Sequence, residues 1–120
     1  MNKKPATAIG CSDNDPEREQ HVLTRKKRDE LSPRDMIRLL QEGNKRFVDG
    51  ESIDWDYRHE QADTSSGQHP GAIVLGCIDS RAPAEIIFNL RIGDVFNARV
   101  AGNVIDENIA GSMEYACKGA

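Results

Sequence analysis

The sequence contains no long apolar run, few cysteines and no excess of basic charge, and each shortage argues against a class of protein. A membrane-spanning helix needs about 20 consecutive apolar residues, and no stretch of this chain approaches that length. The three cysteines, Cys11, Cys77 and Cys117, are odd in number and far apart, which argues against a disulfide framework. They are compatible with a reducing compartment or with a metal site.

The charge balance indicates a small ligand. The formal net charge is −4 and the isoelectric point is about 5.3, so the chain has no overall basic field for nucleic acid or for an anionic membrane. The N-terminal stretch is too short and too weakly apolar for a secretory signal. The sequence therefore predicts a cytoplasmic protein without nucleic-acid or membrane partners. A periplasmic location is the alternative if an N-terminal signal is missing from this chain.

The N-terminal part of the chain is polar. Residues 1–30 carry dense charge with almost nothing to bury, and disorder is expected there. Ser32, Pro33 and Asp35 then form a helix start, with a hydroxyl cap, a proline at the first helical position and an acid in the first turn. Apolar residues recur at helical spacing, which predicts an amphipathic arm helix over residues 32–49. Its apolar stripe must pack on the domain that follows or on a second subunit.

The apolar residues are concentrated in the C-terminal part. An irregular connector is expected over residues 51–71, and an α/β core over residues 72–120. The predicted core elements are a strand from Ala72 to Cys77, a helix opened by Pro83, a strand from Val95 to Val100 and a helix capped by Asp106. The order strand, helix, strand, helix predicts a parallel sheet with flanking helices.

Three reactive side chains follow the first predicted strand. Cys77, Asp79 and Arg81 occupy alternate positions, so in an extended chain they would project to one side. In open α/β sheets the ligand crevice lies beyond the carboxyl ends of the strands, which is where these residues stand. This is the candidate functional site.

The residues alone leave several interpretations of this trio open. A thiolate and a carboxylate suit zinc, but a catalytic zinc site usually has three protein ligands. Equally, Cys77 could be a small buried side chain, with Asp79 and Arg81 as an ion pair that holds a turn. A thiol-nucleophile phosphatase fits less well, since its phosphate loop needs more residues between the cysteine and the arginine.

The surrounding motifs resemble the β-class carbonic anhydrases. The matching segments are Gly76-Cys77-Ile78-Asp79-Ser80-Arg81, Pro83-Ala84-Glu85-Ile86-Ile87-Phe88, Ile92-Gly93-Asp94-Val95-Phe96, Arg99-Val100-Ala101-Gly102-Asn103 and Gly111-Ser112-Met113-Glu114-Tyr115-Ala116. The resemblance implies a zinc enzyme, a carbonate dehydratase that interconverts carbon dioxide and bicarbonate. It further implies that Cys77 is a zinc ligand and that Asp79, beside the metal, forms a catalytic dyad with Arg81.

The resemblance also implies how the dyad works. Arg81 would hold Asp79 ionised and off the metal, so that the carboxylate accepts a hydrogen bond from zinc-bound hydroxide. If the pair broke, Asp79 would itself become a zinc ligand. Gln68 resembles the family's glutamine that donates to the substrate oxygen across a dimer interface, which implies a homodimer or a higher homo-oligomer. An ordinary loop residue is the alternative for Gln68.

One departure from the family pattern limits the prediction. The family supplies its remaining zinc ligands from a His-x-x-Cys motif after the next strand, and this sequence stops at Ala120, before such a motif. We therefore interpret the chain as the N-terminal part of a β-class carbonic anhydrase, with a sheet that is incomplete at the C-terminus. The expected function is carbonate dehydratase, inactive as this chain alone. The alternative is a catalytically dead fragment that acts as a dimerising interaction module.

Overall fold

A short parallel sheet with helices around it forms the structure, a computed structural model that describes residues 22–119. In chain order the main elements are α1 (Arg25–Glu30), α2 (Pro33–Val48), α3 (Tyr57–Asp63), β1 (Ala72–Gly76), α4 (Ala84–Ile87), β2 (Val95–Arg99) and α5 (Glu107–Glu114). A 3₁₀ turn at Ala101–Asn103 follows β2, and a π-helical turn at Tyr115–Gly119 follows α5.

The polar segment that was expected to be disordered overlaps the described residues at 22–30. There the structure differs from the expectation, because Arg25–Glu30 form helix α1. The hydroxyl of Thr24 starts this helix by accepting a hydrogen bond from the Lys27 backbone N–H at 3.2 Å. The expectation of disorder rested on the lack of apolar residues, and a polar cap of this kind gives no apolar signal. Residues 1–21 lie outside the described residues, and disorder there stays a prediction.

Helix α2 begins where its capping residues predicted. The Ser32 hydroxyl accepts from the Asp35 backbone N–H at 3.2 Å, and the Asp35 carboxylate accepts from the Ser32 backbone N–H at 2.8 Å. These reciprocal bonds form a capping box, and Pro33 occupies the first turn. The helix ends at Val48, before Gly50 in a left-handed conformation with φ 71°. The predicted helix is confirmed, while the division of the chain into domains stays a prediction.

Part of the apolar stripe of α2 packs within the chain. Met36 is buried, and Gly43 lies against the backbone of Phe88, which follows α4. The amide of Asn44 adds a hydrogen bond of 2.8 Å to the Ile87 carbonyl. Ile37, in contrast, is 55% exposed. The stripe is therefore divided between an internal contact and a free surface.

The connector expected to be irregular contains helix α3. Its first turn is capped by Asp56, whose carboxylate accepts from the His59 backbone N–H at 3.1 Å. Its buried residue is Glu60, which lies 3.6 Å from the Nε of the buried Arg91 side chain. The prediction of an irregular connector was wrong for residues 57–63, where the Asp56 cap starts a short helix and buried Glu60 faces Arg91. Sequence periodicity detects apolar faces and misses such a helix.

The sheet has the parallel arrangement that the element order predicted. β1 pairs with β2 in register from Ala72 opposite Val95 to Gly76 opposite Arg99. Each strand ends one residue before its predicted end, and α4 between them is a single turn that follows Pro83. The buried core of the described residues includes Leu90, which is 1% exposed. The α/β fold class expected from the resemblance is thus confirmed.

Helix α5 completes the predicted order. The carboxylate of Asp106 caps it by accepting from the Ile109 backbone N–H at 2.8 Å, as the sequence predicted. Among the described residues no helix is long and apolar enough to cross a membrane.

Candidate active site

The candidate site lies in the turn that follows β1. The strand ends at Gly76, so Cys77, Asp79 and Arg81 do not lie in an extended strand. The predicted alternation of their side chains therefore does not hold. The chain turns instead, and the backbone N–H of Ala82 donates to the Asp79 carbonyl at 3.2 Å. The turn, and not strand alternation, sets the positions of the three side chains.

Asp79 and Arg81 form a direct pair. The Arg81 side chain donates from Nε to Oδ1 of Asp79 at 3.0 Å and from Nη2 to Oδ2 at 2.7 Å. The Arg81 backbone N–H adds a third bond to Oδ1 at 2.9 Å. These bonds favour the ionised carboxylate and lower the pKa of Asp79 to about 2. The structure therefore places Asp79 on Arg81 with both carboxylate oxygens engaged.

The sulfur of Cys77 faces the turn that follows β2. Its Sγ accepts a hydrogen bond from the backbone N–H of Gly102 at 3.2 Å. This bond, followed by the bonds from the backbone N–H groups of Asp79 and Ile78, lowers the pKa of the Cys77 thiol. A hydrogen bond to the charged form favours it, so the site promotes the thiolate, which is the form that binds metals.

Gln68 lies in a different part of the surface. It is exposed and lines an open cleft of about 530 Å³. The other lining residues are Gln61, Thr64, Ser65, Ser66, Gly67, Ile92 and Gly93. Cys77, Asp79 and Arg81 are not among them. Within the described part of one chain, the structure gives no contact that brings Gln68 to the trio.

The sequence around this turn is similar to that of known proteins. A family model for carbonic anhydrase matches residues 72–120, which include β1, the turn, β2 and α5. Residues 72–120 belong to the carbonic anhydrase family. The β-class recognition made from the motifs is confirmed.

Curated carbonic anhydrases share much of the sequence. "Carbonic anhydrase 2" of Mycobacterium tuberculosis (strain CDC 1551 / Oshkosh) is 46% identical over 85 residues, which cover 66% of this chain and 39% of that relative. "Carbonic anhydrase" of Mycolicibacterium smegmatis is 45% identical over 80 residues, with the same two coverages. This chain thus spans 39% of the length of these relatives.

A solved structure is also similar. It is described as "The structure of the beta-carbonic anhydrase CcaA", and the match has 31% sequence identity and a TM-score of 0.49. The match covers 69% of this chain and 39% of that chain.

The carbonic anhydrase segment includes a site residue for which no role was predicted from the sequence. Arg99 at the end of β2 donates from Nε to the Cys77 carbonyl at 2.8 Å and from Nη2 to the Asp79 carbonyl at 2.6 Å. The Arg99-Val100-Ala101-Gly102-Asn103 motif contains this residue and Gly102, so the motif was the available signal. Their contacts depend on the pairing of β1 with β2.

The donor set suits zinc in type and falls short in number. A cysteine thiolate is a common zinc ligand, and Cys77 offers one. Asp79 has its oxygens committed to Arg81. No group of three or more His, Cys, Asp or Glu side chains gathers around a possible metal position within residues 22–119. The described residues thus form no complete metal centre.

Proposed function

We propose that this chain supplies part of the active site of a cytoplasmic, zinc-dependent carbonate dehydratase that interconverts carbon dioxide and bicarbonate. The observation that carries the proposal is the Asp79–Arg81 pair, which begins two residues after Cys77 in a segment of the carbonic anhydrase family. Backbone hydrogen bonds lower the pKa of the Cys77 thiol and so favour its thiolate. On this proposal the remaining metal ligands come from residues that do not belong to the described 22–119. The 120-residue chain alone is then inactive.

Each residue has a defined part in this proposal. Cys77 would hold the zinc ion, which when bound would lower the pKa of a coordinated water to about 7. Asp79 stays ionised near neutral pH and offers its oxygens as hydrogen-bond acceptors. Arg81 keeps the carboxylate from competing for the metal, because two side-chain donors hold it. Gln68 is proposed to donate to a substrate oxygen in the partner subunit of a homodimer.

A chimera tests the proposal directly. Residues 31–120 would replace the matching segment of the Mycobacterium tuberculosis relative, so that the missing ligands come from that protein. We expect the chimera to bind zinc and to hydrate carbon dioxide in a stopped-flow assay. Cys77→Ser should reduce the rate to that of a protein-free sample and release zinc, because a hydroxyl is a poor substitute for a thiolate ligand.

Cys117→Ser is the matched control in the chimera. Cys117 is exposed on the π-helical turn, so its replacement should leave both rate and zinc content unchanged. A chimera that folds and retains stoichiometric zinc but does not hydrate carbon dioxide would reject the proposed activity.

An interaction module without catalysis is the second candidate. The observation that favours it is the exposed apolar surface of α2, where Ile37 is 55% and Val48 is 72% exposed, in a chain whose described residues lack a complete metal centre. A second copy of the chain covering this surface would make the arm a dimerisation element with or without zinc.

The association is testable by one substitution on α2. Ile37→Glu places a charge on the exposed apolar surface, and a charge buried in an interface is costly unless it is paired. We expect the sedimentation coefficient to fall from that of a homodimer or larger assembly to that of a monomer. Arg38→Gln is the control, because it makes the same change in net charge at an exposed position about 100° around α2 from Ile37, and it should leave the assembly intact. A wild-type chain that sediments as a monomer would contradict the association.

A further inference from the structure

The side chain of Arg99 bridges two separate parts of the chain. Its Nε–H donates to the Cys77 carbonyl at 2.8 Å and its Nη2 donates to the Asp79 carbonyl at 2.6 Å, across 22 and 20 sequence positions. A guanidinium carries five N–H donors in a planar fork, which suits two acceptors at once. Arg99 therefore connects the end of β2 to the backbone of the loop from Cys77 to Arg81.

Backbone contacts from the same segment reach the same loop. The N–H of Val100 donates to the Gly76 carbonyl at 3.1 Å, and the N–H of Gly102 donates to the Cys77 sulfur at 3.2 Å. Gly102 has φ 72°, in the left-handed region that glycine adopts without steric cost. The loop is thus held at the Cys77 sulfur and at two of its carbonyls, and the residue before it is held through the Gly76 carbonyl.

We propose that Arg99 is a positioning residue that holds the Cys77–Arg81 loop in the single arrangement that presents the Cys77 sulfur together with the Asp79–Arg81 pair. Arg99 acts through the loop backbone. Only the catalytic meaning of the loop rests on the proposed function, since the loop geometry is independent of activity.

The placement of Arg99 separates this role from general support of the fold. Arg99 is exposed, so it contributes little to the buried core. The β1–β2 ladder is formed by backbone bonds, whereas the two bonds of Arg99 go to the loop. Loss of the side chain should therefore release the loop while the sheet stays paired.

Amide hydrogen exchange in the 120-residue chain tests the proposal. The reporters are the N–H of Arg81, bonded to Asp79 Oδ1 at 2.9 Å, and the N–H of Gly102, bonded to the Cys77 sulfur. In Arg99→Ala we expect both to exchange about tenfold faster or more, because hydrogen bonds to charged groups are among the strongest that a side chain makes. Amides of the β1–β2 ladder should keep their rates. The carbonyl ¹³C resonances of Cys77 and Asp79 should shift as they lose a donor.

Two further variants complete the test. Arg99→Lys has one ammonium in place of a planar fork, so it should restore one of the two carbonyl shifts at most and leave exchange between that of Arg99→Ala and the wild type. If Arg99→Ala does not fold, Arg99→Lys alone tests the proposal. Asn97→Ala is the matched control, since Asn97 is exposed on β2 and donates to Glu85 at 2.7 Å instead of to the loop.

Two results would overturn the role of Arg99. The first is unchanged exchange at Arg81 and Gly102 in the folded arginine variants. The second is an equal increase at every amide of β1, β2 and the loop, which would make Arg99 a support of the whole fold. Neither readout involves zinc or carbon dioxide. An inactive chimera would therefore reject the proposed function without affecting the role of Arg99, and unchanged exchange would reject the role of Arg99 without affecting the proposed function.

Discussion

Replacement of Arg81 with alanine in the chimera is expected to lower the rate of carbon dioxide hydration by about a hundredfold or more, the range for loss of a positioned acid–base group, while zinc stays bound. Arg81 donates three hydrogen bonds to Asp79. The two from its side chain disappear in the variant. On the proposed function, the freed carboxylate would then be able to bind the metal in place of water. Hydration rate and zinc content, measured on the same samples, check this expectation.

The protonation state of Asp79 supports this explanation of the expected loss of rate in Arg81→Ala. In the folded chain the bonds from Arg81 lower its pKa to about 2, so the carboxylate is ionised at neutral pH. Without Arg81 the pKa rises toward the ordinary value of about 3.9, which still leaves the group ionised at pH 7. The loss of rate at neutral pH should therefore come from the new position of the carboxylate and not from its protonation.

Asp79→Asn should behave differently from Arg81→Ala. An amide is a poorer metal ligand than a carboxylate, so the water position stays open and partial activity is expected. Arg38→Ala is the control for the loss of an Arg–Asp pair, because Arg38 donates to Asp35 at 2.7 Å on the surface of α2. Full activity of Arg81→Ala, or joint loss of zinc and activity, would show that the Asp79–Arg81 pair only holds the turn.

Gly43→Ala is expected to destabilise the fold by about 3 kcal/mol, at the upper end of the usual cost of an overpacked core. Gly43 is buried in α2, and an added Cβ would overlap the carbonyl oxygen of Phe88 and lie 2.8 Å from its carbonyl carbon. Backbone atoms do not yield as a flexible side chain does. The variant must therefore push α2 away from the end of α4. Urea unfolding of the 120-residue chain, followed by circular dichroism, measures the effect.

Gly111→Ala makes the same chemical change where no clash arises. Gly111 lies within α5, and its added Cβ would meet no heavy atom within 4 Å. Alanine is favoured over glycine in a helix by about 0.5–1 kcal/mol, so this variant should be slightly more stable than the wild type. If Gly43→Ala matched Gly111→Ala in stability, α2 would not be packed against Phe88 in solution.

Local sequence signals predicted the elements that begin and end on their own residues. Ser32 and Asp35 cap α2, and Asp106 caps α5, because each cap needs only a side chain and a backbone N–H a few positions apart. The strands were predicted to within one residue from their apolar runs. Helix α3 escaped detection, since its buried residue Glu60 is polar and its partner Arg91 lies far along the chain.

The sequence by itself determined the chemical content of the site: a thiol, a carboxylate and a guanidinium in one short loop, with motifs of the carbonic anhydrase family around them. Only the tertiary structure decided that Arg99 and Gly102 hold the loop. The reason is physical. The parallel pairing of β1 with β2 places residues 20 or more positions apart within hydrogen-bond distance, and no local pattern in the sequence specifies such contacts.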